Sequence, residues 1–227
     1  MQGGISMKRT KLCSRTLPSY TASEEWLNAI SHGVGVLLGI LVVVLCATKA
    51  RGNHLSFIGC IIYGLSMIAL YTVSTLYHSL KPGTAKKVFQ IIDHCTIYIL
   101  IAGTYTPILL TAFVPDAPMA GWGLLGLQWG VSVLAIVLNS IDLKKFRVFS
   151  YTAYIVLGWA ILFVAPIALR LLSNHAFLYL LLGGISYTIG AVLFAIGKKH
   201  RWFHGVFHIF VILGSILQFI AIYQYIL

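Results

Sequence analysis

Charge is what this chain has least of. Only 9% of its 227 residues are Asp, Glu, Lys or Arg, against 59% hydrophobic residues, and the mean hydropathy is +0.91. A soluble domain carries roughly a quarter charged residues, so an integral membrane protein is implied. Short alternating segments are also missing. The apolar runs are long and continuous, which argues against an outer-membrane barrel and for helices. No CxxC pair occurs: Cys13, Cys46, Cys60 and Cys95 stand apart, and the last three lie in apolar runs, where a buried thiol is a small hydrophobe. The opening "MQGGISMKRTKLCSRTLPSY" has no apolar core and no small-residue cleavage site, so it does not read as a signal peptide. Met7 is an alternative start.

What is present is a series of stretches of about 20 apolar residues between polar breaks. They fall at roughly 28–48, 55–79, 88–113, 120–140, 148–169, 175–197 and 204–226. The breaks carry turn and charge signals such as "KARGNH", "LKPGTAKK" and "VPDAPMAG". The expectation is an all-α membrane protein, a seven-transmembrane helix bundle. Residues 1–24 read as a basic cytoplasmic tail and 25–227 as the membrane domain. Thirteen of the sixteen basic residues fall on one side: Lys8, Arg9, Lys11, Arg15, Lys81, Lys86, Lys87, Lys144, Lys145, Arg147, Lys198, Lys199 and Arg201. Lys49, Arg51 and Arg170 fall on the other. Basic loops stay inside, which predicts a cytoplasmic N-terminus and an outside C-terminus in the inner membrane. The net charge of +11 then reflects basic loops against an anionic leaflet, with no call for nucleic acid. Trp26 and Trp202 are expected at the inner interface and Trp122 at the outer. Nothing in the pattern specifies an oligomeric state.

On this frame the polar residues gather at one depth. His78 closes span 2, with Ser74 one turn deeper on the same face. Asp93 and His94 open span 3, His204 and His208 open span 7, and Glu25, Asn28 and His32 form one stripe at the start of span 1. His54 and His175 fall on the outer side and His200 in a basic loop. A histidine pair spaced i, i+4 more often packs or hydrogen-bonds to neighbouring helices than binds metal. A carboxylate at membrane depth is more telling, because its charge needs a partner. Three histidines with one carboxylate at a single level match a catalytic zinc site of three protein ligands and an open position.

These motifs resemble the bacterial hemolysin III family, within the wider progestin and adiponectin receptor superfamily and related to alkaline ceramidases. The resemblance rests on Glu25-x-x-Asn28-x-x-Ser31-His32, Ser74-x-x-x-His78, Asp93-His94, "AGTYTP" from Ala102 to Pro107, and His204-x-x-x-His208. It implies a seven-helix fold with zinc on His78, His204 and His208, and with Asp93 and Ser74 beside it. Relatives outside the bacterial branch are receptors with lipid-amide hydrolase activity, or ceramidases. The name hemolysin comes from cytolysis ascribed to one relative.

The leading expectation is a zinc-dependent hydrolase of lipid amides or esters, with membrane lipid as substrate or ligand. The alternatives are a lipid sensor with structural zinc, and a cytolysin or channel. A channel needs polar stripes through the full thickness, and the outer halves are almost wholly apolar. Asp93 reads either as general base or as a residue that only orients a ligand. Ser74 reads either as an oxyanion donor or as a hydroxyl bonded to its own helix. Glu25, Asn28 and His32 are expected to hold helix ends or orient the ligands. His94 lies about 100° from Asp93 around the helix, so it is placed in a supporting position. Pro107 cannot donate to the Gly103 carbonyl and predicts a kink in span 3, either opening a cavity or improving packing. Pro166 raises the same two readings in span 5.

Overall fold

A computed structural model describes residues 10–197 and 200–227. Met7, Lys8, Arg9, Lys198 and Lys199, invoked above, lie outside the described residues.

Helix begins where the side chains supply caps. The Thr21 hydroxyl accepts from the Glu24 amide, and the Glu24 carboxylate accepts from the Thr21 amide, starting α1 (Ala22–Lys49). Asn53 accepts from the Ser56 amide at the head of α2 (His54–Ser79). Pro118, whose missing N–H costs nothing in a first turn, opens α4 (Pro118–Asp142). Ser173 caps α7 (Asn174–Ile196). Between them run α3 (Thr84–Ile108), α5 (Arg147–Gly158) and α6 (Ala165–Leu171), and α8 (Phe203–Ile220) ends the bundle. There is no strand among the described residues.

At 1.5 Å per residue, helices of this length cross a hydrocarbon core of about 30 Å. Among the described residues, six helices are long and apolar enough to do so. Alone, α5 and α6 are too short. They are joined by a 3₁₀ stretch, Ala160–Val164, and bent by 44°. Counting the pair as one crossing gives seven.

The expected kink at Pro107 is not where the bundle breaks. α3 runs through Pro107 and widens into a π turn over Leu109–Phe113, so that Thr84–Phe113 is one span. Pro107 packs against Gly59, where an added Cβ would lie 2.8 Å from its Cα. The break falls in span 5. There Pro166 sits in the first turn of α6 and so starts a helix rather than bending one.

The outer surface is oily and the interior holds the polar groups. Leu37, Ile40, Leu41 and Val44 are exposed on α1, while Asn28, His32, Gln128, Ser132 and Asn139 are buried. This pattern suits a solvent that cannot hydrogen-bond. Trp26, Trp122 and Trp202 are all exposed, as interfacial anchors would be. Glycines set helix spacing. A Cβ on Gly64 would meet Val43 Cγ2 at 2.2 Å, which brings α2 against α1. A Cβ on Gly205 would meet Leu27 Cδ2 at 2.5 Å and Asn28 Oδ1 at 3.2 Å, which brings α8 against α1. The stretch read as a tail is tied across the base of the bundle: the Thr10 amide donates to Asp142 Oδ2 at 2.7 Å, and Lys87 Nζ donates to the Cys13 carbonyl at 2.7 Å.

Candidate metal centre

Four helix ends meet at one level. His78 sits in the last turn of α2, and His204 in the first turn of α8 with His208 one turn further in. Their order comes from α8's start. Trp202, the residue before α8, adopts a left-handed φ of 69° and donates its amide to Glu24 Oε1 at 2.9 Å. Glu24 therefore caps α1 and anchors α8 with one carboxylate. The contact of Gly205 with Asn28 then lets His208 lie over α1.

The three imidazoles point one nitrogen each at a common place. His204 Nε2 lies 3.1 Å from His78 Nε2 and 3.2 Å from His208 Nε2. Tetrahedral zinc at roughly 2.0–2.1 Å from each nitrogen would separate them by roughly 3.3 Å. The outer nitrogens decide the tautomers. His78 Nδ1 lies 2.6 Å from Glu25 Oε2 and donates to it. His208 Nδ1 lies 3.2 Å from the Asn28 carbonyl, which can only accept. Both rings, when neutral, therefore turn a lone pair inward at Nε2. His204 Nδ1 has no hydrogen-bond partner among the described residues, so its one proton can serve at most one of the two lone pairs. A cation satisfies all three at once. His78, His204 and His208 thus form a cluster that could hold a metal ion.

The expected supporting residues do concrete things. Glu25 bridges His78 and the buried Lys86, whose Nζ lies 2.7 Å from Glu25 Oε1. Asn28 offers its carbonyl to His208, and its side-chain nitrogen packs 3.4 Å from His78 Nδ1. His32 stacks face to face on His208, with centroids 3.6 Å apart and planes at 7°. His94 donates Nδ1 to the Gln90 carbonyl at 2.9 Å and packs near Phe194. His54 and His175 lie at the far end, where His175 stacks on Tyr225.

An apolar chamber of about 350 Å³ begins at the cluster. Ser74, Asp93, His204 and His208 line one end, and Leu70, Ile97, Ile101, Ile108 and Leu180 continue it away from them. The break in span 5 supplies a wall through Gly158, Trp159 and Ile161. Tyr105 clasps that break: its hydroxyl donates to the Gly158 carbonyl at 3.0 Å and accepts from the Ile161 amide at 2.9 Å. Ser74 faces Asp93 without closing a hydrogen bond of ordinary geometry. Asp93 and His94 both reach the chamber wall.

Two contributors carried no sequence signal. Tyr20 precedes α1, yet its ring stacks on His204 at 5.0 Å and lies 5.8 Å from His78. Burial, then the Glu25 and Asp93 carboxylates, push its phenol well above the usual range, so it stays protonated. Lys86 read as one more loop cation, but it is 2% exposed and charge-paired.

A sequence profile of the haemolysin-III related family matches residues 20–219. The chain belongs to that family. Hemolysin-3 of Bacillus cereus is 37% identical over 206 residues, covering 90% of this chain and 92% of that protein. A hemolysin-3 homolog of Bacillus subtilis is 38% identical over 208 residues, covering 91% and 96%. The human monocyte to macrophage differentiation factor is 26% identical over 170 residues, covering 72% and 68%. The expected family is therefore borne out, and with it a multi-pass membrane protein.

Proposed function

We propose that this haemolysin-III family member is a zinc-dependent hydrolase of lipid amides or esters. It would lie in the cytoplasmic membrane, with its N-terminus and metal centre on the cytoplasmic side. The observation that carries the reading is the convergence of three Nε2 atoms at the polar end of an apolar chamber whose wall also holds Asp93. Neutral imidazoles suit zinc. A zinc ion there would act as a Lewis acid and make water a nucleophile near neutral pH. The protein's own residues do the rest. Glu25 and the Asn28 carbonyl keep the Nδ1 protons of His78 and His208 in place, so both rings stay aimed inward. An Asp93 oxygen receives the proton of the attacking water and returns it to the leaving amine or alcohol. The Ser74 hydroxyl donates to the oxygen that gains charge. The apolar lining holds the acyl chain and keeps bulk water out.

A second reading is a lipid sensor in which the metal is a clasp. It is favoured by the rings that close over the cluster, His32 on His208 and Tyr20 on His204. Fatty-acid release by purified protein from ceramides, other lipid amides and phospholipids, with zinc titrated, separates the two. Asp93→Asn should keep its metal and lose roughly 10²–10⁴ in turnover. If Asp93 only orients the centre, zinc affinity falls by roughly 10–100-fold and turnover recovers at saturating zinc. No release above a His208→Ala background, across all three lipid classes, would overturn the hydrolase and leave the sensor.

A further inference from the structure

On the loop side of the metal cluster lies a second cavity, of about 880 Å³ and mixed polarity. Its walls are the 10–21 segment, the α4–α5 turn and the approach to α8. Arg15, Lys144, Arg147 and Arg201 line it, with His200. Two carboxylates also reach it, Glu24 and Asp93. Glu24 is occupied by Thr21, by the Trp202 amide and by Arg201 at 3.9 Å. Asp93 lies where the two cavities meet. Positive charge therefore dominates the vestibule.

Arg15 is the informative member. Its Nε and Nη1 are buried and have no hydrogen-bond partner among the described residues. Guanidinium N–H groups withdrawn from water and left without an acceptor are costly, even on a half-buried side chain. Its planar fork fits phosphate or carboxylate. A cavity that holds such a group, with three more cations in its walls, is built for an anion.

The two cavities are contiguous. Asp93, His94, Tyr151, Phe194 and His204 line both the vestibule and the apolar chamber. One molecule can therefore place a chain in the chamber and a head in the vestibule, and the linkage between them falls beside His204 and Asp93. The chamber, at about 350 Å³, is at the small end of ligand cavities, which fits one acyl chain better than two.

We infer that the substrate class is a single-chain lipid with an anionic head: a fatty acyl ester or amide of a small alcohol or amine that bears phosphate or carboxylate. This rests on the hydrolase reading. Water's oxygen bonds to the acyl carbon, the C–O or C–N bond breaks, and the leaving oxygen or nitrogen takes the proton. The products are a fatty acid and the anionic alcohol or amine.

The test separates binding from turnover. Full-length protein in a neutral-head detergent is titrated with lysophosphatidate, an N-acylglycine, and their uncharged counterparts, a monoacylglycerol and an N-acylethanolamide. Binding is read by native mass spectrometry or tryptophan fluorescence, and fatty-acid release is read in parallel. At least one anionic lipid should bind ten-fold or more tighter than its uncharged counterpart, and that preference should shrink in high salt. Which one does so distinguishes a phosphate head from a carboxylate head. Arg15→Gln should lose most of the preference while keeping the wild-type metal content and Tm. Arg147→Gln is the second variant should Arg15→Gln unfold. Equal binding of charged and uncharged lipids, or a preference unchanged in both variants, overturns the anionic-head inference whatever the turnover. Charge-selective, Arg15-dependent binding without fatty-acid release overturns the hydrolase and leaves an anionic-lipid binding site.

Discussion

His78 and His208 commit their Nδ1 protons to Glu25 and to the Asn28 carbonyl, and their inward lone pairs follow from that commitment. The chemistry of the centre is therefore set one bond away from it. Purified protein should carry about one zinc, as a three-histidine site does. His208→Ala should lose most of it, while His54→Ala, at the far end of α2, should not. Equal metal in both variants, measured by elemental analysis, would remove the assignment. Glu25→Gln keeps the size of the side chain but trades a carboxylate for an amide against His78 and Lys86. Competition with a chromophoric chelator should show zinc affinity lowered by roughly 10–100-fold, with the helices intact by circular dichroism.

Among the helices, the centre joins the end of α2 to the start of α8. Those ends are otherwise held by Gly205 against α1 and by the Glu24 carboxylate under Trp202. An ion bound only by the folded bundle adds stability by mass action, about 2.7 kcal/mol at a hundred times its Kd. For a chain of this size that is worth roughly 5–10 °C in Tm. A strong chelator should lower the Tm of the wild type by about that much and leave His208→Ala nearly unmoved. A wild-type curve indifferent to chelator would mean that the histidines pack without an ion. The bent span is a different kind of element. It is closed by Tyr105 from α3, so the chamber wall depends on a side-chain clasp rather than on a continuous backbone ladder.

For the whole molecule, counting α5 and α6 as one crossing makes seven among the described residues; an odd number would put the two ends of the chain on opposite sides, and the distribution of Lys and Arg predicts the N-terminus inside. Reporter fusions at residue 227 should score as external. A cytoplasmic score would invert the bundle and put the candidate metal centre on the outer side. The 10–21 segment packs beneath the centre and lines the vestibule with Arg15 and Tyr20, so the membrane domain does not end cleanly where helix begins.

Features set by spacing along one chain segment were legible without coordinates. Apolar runs of membrane length, a histidine pair one turn apart on α8, and Ser74 one turn from His78 follow from helix period alone. The shared depth of His78, Asp93, His204 and Glu25 follows from counting residues from each helix end. Tertiary structure decided everything that depends on helix rotation and close approach. It chose Nε2 as the inward nitrogen, gave Glu25 His78 and Lys86 as its partners, and drew Lys86 out of the count of surface charge. It moved the break from Pro107 to Gly158–Trp159: Pro107 is packed on Gly59, while the backbone groups freed in span 5 are taken up by Tyr105 and Gln128. Tyr20 over His204 and the unpartnered Arg15 could not be read in advance. No periodicity governs residues before a helix cap, and their places are set by the cavities the assembled bundle leaves open.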